Sequence, residues 1–155
     1  SDEQIHEGLT HKVLHVALAF ADVSVQLRKD LVKKLLRSKR SPLRKKIIQR
    51  AEIVQYDVVS FIMRGDEEDR LALANSPHIL PESIILEGVK DHNVMVSSAF
   101  IRRHEYKPSA RDIRLGLAHK HPAIRNACLH KVQQDFQEVA TPAIVEEDDD
   151  YTDFL

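Results

Sequence analysis

Histidines near the start of the chain are the residues whose type and spacing most resemble a metal site. His11 and His15 are four residues apart, and His6 precedes them by about one further turn. On one helix face, this spacing could hold a metal ion. No acidic residue of that helix completes a tetrahedral ligand set, and solvent-exposed histidine is the usual case. The sequence therefore favours solvated histidines, and we expect no metal.

Cysteine and carboxylate groups give no better support for catalysis. Cys128 is the single cysteine, so disulfides within the chain and multi-cysteine zinc or iron–sulfur sites are excluded. Its apolar helical setting predicts a small buried residue and not a nucleophile. The acidic run Asp66–Asp69 suits a helix N-terminus better than acid–base chemistry. The chain also lacks Gly-x-Ser-x-Gly, Walker-type and His-Glu-x-x-His motifs. We expect neither enzyme activity nor a cofactor.

A basic stretch between Arg28 and Arg50 is the strongest functional signal. It holds eleven Lys and Arg residues against Asp30 alone, a net charge of +10. Such a density of cations can neutralise several phosphates, and each neutralised phosphate releases counterions. Aromatic residues are few, which favours contact with a duplex backbone over base stacking. The residues predicted to bind nucleic acid are Arg28, Lys29, Lys33, Lys34, Arg37, Lys39, Arg40, Arg44, Lys45 and Lys46.

Two other interpretations of the same basic stretch remain open. It could recognise an acidic protein surface instead of nucleic acid. It could also be a solvated face that balances acidic regions elsewhere, since the net charge of the whole chain is −1.

The acidic C-terminal segment is the second signal. Six carboxylates without a compensating cation fall in the last ten residues, which end in Asp153-Phe154-Leu155. Blocks of like charge stay solvated, so we expect residues 141–155 to be a disordered tail. The tail could be a mere solubilising extension, or it could fold back on the basic stretch and screen it.

The ending of this tail resembles the acidic-hydrophobic tips of bacterial and phage single-stranded-DNA-binding proteins. It also resembles the clamp-binding peptides of phage polymerases and late-transcription factors. The resemblance implies a protein partner, such as a sliding clamp or a polymerase component, with a hydrophobic pocket and a basic rim. The residues that would bind it are Asp150, Tyr151, Asp153, Phe154 and Leu155.

Short helices must position these groups. Apolar residues recur at helical spacing from Glu7 to Phe20, and apolar and basic residues take opposite faces from Leu27 to Leu36. Ser41-Pro42 is a favourable helix start. No segment alternates with a period of two, so we expect an all-α domain over residues 1–140. Further helices are predicted around Val54–Met63, Glu67–Ala74, Pro81–Val89, Asn93–Arg103, Ala110–Ala118 and Pro122–Val132.

A repeat is visible in the second half of the chain. Aligning residues 68–74, 94–100 and 123–129 superposes Arg70, Val96 and Arg125, and small residues recur two positions later. The phrase Arg70-Leu-Ala-Leu-Ala-Asn-Ser-Pro resembles the leucine-rich-repeat-variant family, and Arg111-Asp-Ile-Arg-Leu-Gly-Leu-Ala resembles HEAT repeats. The resemblance covers about residues 43–132. It implies a short right-handed α-solenoid, with Leu73 and Leu129 on the apolar side.

These features predict a non-enzymatic adaptor in a nucleic-acid transaction such as replication, repair or transcription. One alternative is a viral or bacterial structural or inhibitory module that binds protein without nucleic acid. Another is a HEAT-like DNA glycosylase, which the lack of Trp disfavours. The first residues lack the regions of a signal peptide, and no apolar run approaches the ~18 residues that cross a bilayer. We therefore expect a cytoplasmic protein without membrane contact.

Overall fold

The computed structural model describes residues 2–9, 11–12, 29–50 and 56–140, and all regular structure in these ranges is α-helical. The predicted all-α class is confirmed for this part of the chain. None of the described helices is both long and apolar enough to cross a membrane. The helices are α1 (Asp2–Leu9), α2 (Lys29–Leu36), α3 (Ser41–Arg50), α4 (Tyr56–Met63), α5 (Glu67–Ala74), α6 (Glu82–Val89), α7 (Val94–Arg102), α8 (Ala110–Leu117) and α9 (Pro122–Ala140).

The first predicted helix differs from the structure. Its expected span began at Glu7 and ran to Phe20, whereas α1 ends at Leu9 and His11 and Lys12 are not helical. The remainder of the predicted helix, residues 13–20, lies outside the described residues.

Side-chain caps fix where several helices begin. Asp66 accepts a hydrogen bond from the Asp69 N–H as the N-cap of α5, which confirms that the acidic run opens a helix. Asn93 accepts from two backbone N–H groups at the start of α7. Ser109 and Asp112 form a reciprocal capping box on α8. These residues stop each helix from extending into the preceding turn.

The helices from α2 onward pack in two rows. In one row α3 packs on α5, α5 on α7, and α7 on α9; in the other α2 packs on α4 and α4 on α6. Helix pairs such as α2 with α3, α6 with α7, and α8 with α9 join the rows. The largest fully buried apolar side chains are Phe100, Leu43, Ile47, Ile48, Ile62, Leu73, Ile84, Ile85 and Val59.

Two glycines let neighbouring helices approach closely. A Cβ atom at Gly88 of α6 would lie 2.3 Å from the Phe100 ring of α7. A Cβ atom at Gly116 of α8 would lie 2.1 Å from the Sγ atom of Cys128 on α9. Since neither distance is compatible with van der Waals contact, both helix pairs depend on the missing side chain.

Four helices of one row begin with the same backbone hydrogen bond, and aligning the helices by this bond shifts the predicted alignment by one residue in α7. The N–H groups of Arg44, Arg70, Ser97 and Arg125 each donate to the carbonyl four residues earlier, at the start of successive helices of one row. Ser97, and not the predicted Val96, is therefore the equivalent of Arg70. This register also aligns three alanines two positions later, Ala72, Ala99 and Ala127.

The side chains at these four positions all donate hydrogen bonds to backbone carbonyls that precede their own helix. Arg44 donates to the Ser38 carbonyl at 2.7 Å, Arg70 to Gly65 at 2.8 Å, and Ser97 to Val89 at 2.7 Å. Arg125 donates to the carbonyls of residues 119 and 120, both at 2.8 Å. Arg44, Arg70 and Arg125 thus hold the turn that precedes their own helix, and Ser97 holds the end of α6. The apolar side of the repeat was mispredicted at Leu129, which is 50% exposed.

Candidate nucleic-acid interface

Helix α2 is amphipathic, as predicted. Its apolar side is buried, so part of the basic stretch faces solvent. Val32, Leu35 and Leu36 are buried against neighbouring helices. Lys34, and then Arg37 and Lys39 in the turn after α2, are exposed. These three cations form the α2 basic face. Because Lys34 projects from a helix that is anchored on the opposite side, and Arg37 and Lys39 follow that helix in an exposed turn, the three can contact a ligand without disturbing the core.

The α2 basic face borders a pocket of about 420 Å³. The guanidinium carbon of Arg37 lies 5.8 Å from the centre of the Phe61 ring, within the range of a cation–π contact. Arg64 lines the same pocket and is exposed. Arg64 is a candidate binding residue that the sequence pattern missed, because it lies outside the basic stretch. Only the packing of the helices brings Arg37 and Arg64 to the same pocket.

Other cations of the stretch are engaged within the fold. The Nζ atom of Lys33 lies 2.7 Å from a carboxylate oxygen of Asp57 on α4. Arg40 donates to the carbonyl oxygens of His11 at 2.5 Å and Lys12 at 2.7 Å. Lys33 and Arg40 therefore connect α2 and the start of α3 to other parts of the chain.

Arg44 is the predicted site residue that the structure places furthest from solvent. Its side chain is 10% exposed, and its Nε atom donates to both carboxylate oxygens of Asp69 at 3.0 and 2.9 Å. Its Nη2 atom donates to Asp66 at 2.6 Å. Burial raises the pKa of the Asp69 carboxyl, and the interactions with Arg44 offset part of that effect. Two carboxylates thus balance Arg44 inside the protein, which suits a framework residue better than a phosphate ligand.

The two lysines after Arg44 lie at the edge of the basic stretch. Lys45 is exposed, with its Nζ atom 3.6 Å from Glu68, and Lys46 is half-buried. Glu68 also accepts a hydrogen bond from the Ser41 hydroxyl. The hydrogen bond from Ser41, followed by the charge of Lys45, lowers the pKa of the Glu68 carboxyl. A nearby carboxylate therefore offsets part of the positive charge of Lys45.

Several predicted residues cannot be located. Arg28 lies outside the described residues, and so do all five tail residues, namely Asp150, Tyr151, Asp153, Phe154 and Leu155. Lys29 is the first residue of α2. Of the three histidines considered for a metal, His11 is exposed and His15 is outside the described residues. The described part of the chain contains no group of three or more His, Cys, Asp or Glu residues that could hold a metal ion.

Cys128 lies in α9 and is buried. Burial raises the pKa of its thiol, which keeps the sulfur protonated and unreactive at neutral pH. The prediction of a small buried residue at this position is confirmed.

A second basic region, which the sequence interpretation did not include, covers α8 and its flanks. Between Arg102 and Lys131 there are eight Lys and Arg residues and two acidic ones, Glu105 and Asp112, a net charge of +6. A count of charge in successive windows would have found it. Six of the eight cations are exposed: Arg102, Lys107, Arg111, Arg114, Lys120 and Arg125.

The other two cations of this region are internal. Arg103 donates to the carbonyls of Ala74 at 2.8 Å and Ser76 at 3.0 Å, and so satisfies the end of α5 and the turn before α6. Lys131, which is 1% exposed, donates to the Arg103 carbonyl at 2.7 Å. This pair ties α5, α7 and α9 together, and no sequence motif signals it.

Glu105 completes the Arg103 cluster by accepting a hydrogen bond from Arg103 at 2.7 Å. Burial opposes ionisation of Glu105, yet the hydrogen bond and charge from Arg103, together with the backbone N–H groups of Glu105 and Leu80, outweigh burial and lower its pKa below the ordinary value of 4.5. Glu105 is therefore a charged, internal partner of Arg103.

Comparison with known proteins assigns no family to the chain: no family model, no curated protein and no solved structure matches it. We therefore base the proposed function on which cations are engaged inside the fold and which are exposed. Some cations hold the helices together, and others face solvent on α2 and around α8.

Proposed function

We propose that this protein is a non-enzymatic adaptor that binds a nucleic-acid duplex through the α2 basic face and recruits a second protein through its C-terminal tail. Its scaffold is a short right-handed α-solenoid of HEAT-like repeats. The two-row packing of helix pairs supports the solenoid, and so does the recurrence of Arg44, Arg70 and Arg125 at equivalent positions.

One observation carries the nucleic-acid part of the proposal. Within the basic stretch, Arg44 is buried and Lys33 is half-buried, whereas Lys34, Arg37 and Lys39 are exposed on one short segment. Cations that contact phosphates add a sequence-independent, salt-dependent term to binding, which suits a duplex backbone. Of the ten residues predicted to bind nucleic acid, the proposal therefore relies on these three.

A mobility-shift titration of a short DNA duplex at several salt concentrations tests this face. The variant carries Lys34→Glu, Arg37→Glu and Lys39→Glu. Affinity should fall by at least roughly tenfold, and the slope of log affinity against log salt should fall by about 1 for every phosphate that the variant no longer neutralises. The helical circular dichroism signal should stay unchanged because all three side chains are exposed.

A matched control separates a specific face from net charge. Arg102→Glu, Arg111→Glu and Arg114→Glu change the net charge by the same amount on exposed residues of the second basic region. This control should retain most of the affinity. Equal losses of affinity in both variants, or no loss in the first, would place the binding surface elsewhere.

The tail part of the proposal has its own experiment. Deleting residues 151–155 removes Tyr151, Phe154 and Leu155, the apolar anchors, and leaves most of the acidic charge. The truncated protein should no longer capture a purified sliding clamp or polymerase component, while duplex affinity stays the same. Unchanged capture would reduce the tail to a solubilising extension.

A second candidate function is recognition of an acidic protein surface by the same face. The 420 Å³ pocket beside Arg37 is partly apolar, with Leu36, Phe61 and Ile62 in its lining. Such a floor can accept a side chain, which a phosphate backbone does not offer. Absence of duplex binding at low salt, together with binding to an acidic peptide that Phe61→Ala weakens, would favour this candidate.

A further inference from the structure

A cleft of about 820 Å³ opens between α8 and the helices α6, α7 and α9. Much of its lining is apolar, and part of that lining faces solvent. Leu115 of α8 is 62% exposed and Leu86 of α6 is 42% exposed. Exposed apolar surface of this kind in a concave site is typical of ligand or peptide binding. The main apolar residues are Leu86, Val89, Ile101, Ile113, Leu115 and Ile124.

Helix α8 leaves this surface open because of how it packs. None of its residues is buried, and it packs chiefly on α9. The contact is made at Gly116, whose missing side chain admits Cys128. The neighbouring Leu115 lines the cleft and remains exposed, so the described part of the chain leaves much of its side chain uncovered.

Lysines surround the apolar floor. Lys90, Lys107 and Lys120 come from three different turns and all line the cleft. His92 and His119 lie among them. A ligand that places apolar side chains on the floor can therefore meet cations from several directions.

The two carboxylates of the cleft offset only part of this positive charge, since three lysines line the cleft and Asp91 is paired with Arg70. Asp91 accepts hydrogen bonds from Arg70 at 2.6 and 3.2 Å and is balanced by it. Asp112 accepts from the hydroxyl and the N–H of Ser109 in the capping box. Both acids serve the fold, and the combination of apolar floor and cationic rim selects a ligand with carboxylates beside aromatic or aliphatic groups.

We propose that the occupant is the C-terminal segment of this same chain, residues 146–155. Its carboxylates meet the lysine rim, and Phe154 and Leu155 enter the apolar floor. The C-terminal segment is long enough to return to the cleft. Cys128 lines the cleft and lies 12 residues before Ala140, the end of α9, which is roughly 18 Å along the helix axis. Residues 141–154 can span roughly 46 Å when extended, so Phe154 can reach the floor while the carboxylates of residues 146–150 pass the lysine rim.

This docking regulates the adaptor if the tail is also the recruiting segment of the proposed function. A docked tail withholds Phe154 and Leu155 from a second protein, and a stronger partner releases them. The docking itself does not require nucleic-acid binding, because the cleft and the α2 basic face share no residue.

Fluorescence anisotropy of a labelled peptide with the sequence of residues 146–155 tests the proposal. The receptor is the full chain with Phe154→Ala and Leu155→Ala, which disarm its own segment. The peptide should bind this receptor saturably, and should bind the unchanged chain at least roughly tenfold more weakly, because the attached segment competes. A peptide in which alanine replaces the phenylalanine and leucine should not bind.

Two matched substitutions locate the binding site. Leu115→Glu, added to the disarmed receptor, should weaken peptide binding at least roughly tenfold, and it should not unfold the protein because Leu115 is exposed. Leu129→Glu is the control, since Leu129 is 50% exposed and does not line the cleft. It should leave the binding unchanged.

Four results would overturn the proposal: no binding to the disarmed receptor, equal effects of the two leucine substitutions, equal binding of the alanine peptide, or abolished binding on substitution of Lys34 and Arg37. The last would assign the tail to the α2 basic face. None of these results bears on duplex binding, so failure here is distinct from failure of the nucleic-acid proposal.

Discussion

Arg44 and Asp69 form an ion pair between α3 and α5 in which the Arg44 Nε atom lies 3.0 and 2.9 Å from the two carboxylate oxygens. Each side chain is 10% exposed. On α5, Arg70 pairs with Asp91 through two nitrogens, with Nε 2.6 Å and Nη2 3.2 Å from the carboxylate oxygens. The two pairs join successive helix pairs, and they convert cations of an apparently basic sequence into structural residues.

Breaking the first pair should be costly. Arg44→Met leaves Asp69 buried without its counter-charge, and removal of one partner of a buried pair typically costs about 3–5 kcal/mol. The unfolding free energy from urea denaturation should fall by that order. Arg44→Met combined with Asp69→Leu should be less destabilising than the sum of the two single substitutions, because neither charge is then stranded. A single-variant effect below about 1 kcal/mol would contradict the assignment.

Leu73 and Leu129, both predicted to lie on the apolar side, should differ sharply on substitution. Leu73 is 0% exposed, whereas Leu129 is 50% exposed. Leu73→Asp buries an unpaired carboxylate at a cost of several kcal/mol, out of a total stability of about 5–15 kcal/mol. It should abolish the cooperative thermal transition in circular dichroism. Leu129→Asp should melt within a few degrees of the unchanged protein, contrary to the sequence-based expectation that both leucines lie on the apolar side.

The close approach of α8 and α9 predicts that a substitution of Cys128 relieves the destabilisation caused by a larger residue at Gly116. Gly116→Ala places a Cβ atom 2.1 Å from the Cys128 Sγ atom. Overpacking of this kind costs about 1–3 kcal/mol, against a gain of up to ~1 kcal/mol in helix propensity. Urea denaturation should therefore show Gly116→Ala to be destabilising in the natural chain. The same substitution should be neutral or stabilising in a Cys128→Ala background, and equal destabilisation in both backgrounds would exclude this steric conflict.

Glu105 should make stability depend on pH in the acid range. Its pKa in the folded protein lies below the ordinary value of 4.5, so the unfolded chain takes up the proton first as pH falls. The contribution of ionised Glu105 is fully present above that ordinary value and is lost as pH falls through the folded-state pKa. The difference in unfolding free energy between the unchanged chain and Glu105→Gln should therefore shrink in that acid range. Parallel curves would show that Glu105 titrates alike in both states.

Local signals in the sequence accounted for most of the helices. Ser41-Pro42, the acidic run at Asp66 and the apolar spacing of α2 all act within one or two turns, so they could be read without a structure. The one-residue error at Val96 and the misplaced Leu129 have a different origin. Helical spacing identifies an apolar stripe, but the orientation of that stripe is set by which helices pack against it.

The sequence by itself determined the helical class of the described residues, the charge of the basic stretch and the burial of Cys128, because composition and periodicity act along the chain. Tertiary structure decided which cations face solvent. Lys34 and Arg44 are equally basic in the sequence, and they differ because Asp66 and Asp69, more than twenty residues away, reach Arg44 across the α3–α5 interface. The cleft beneath α8 likewise exists only after four helices meet. Long-range pairing of this kind leaves no local pattern, since its partners become neighbours only through folding.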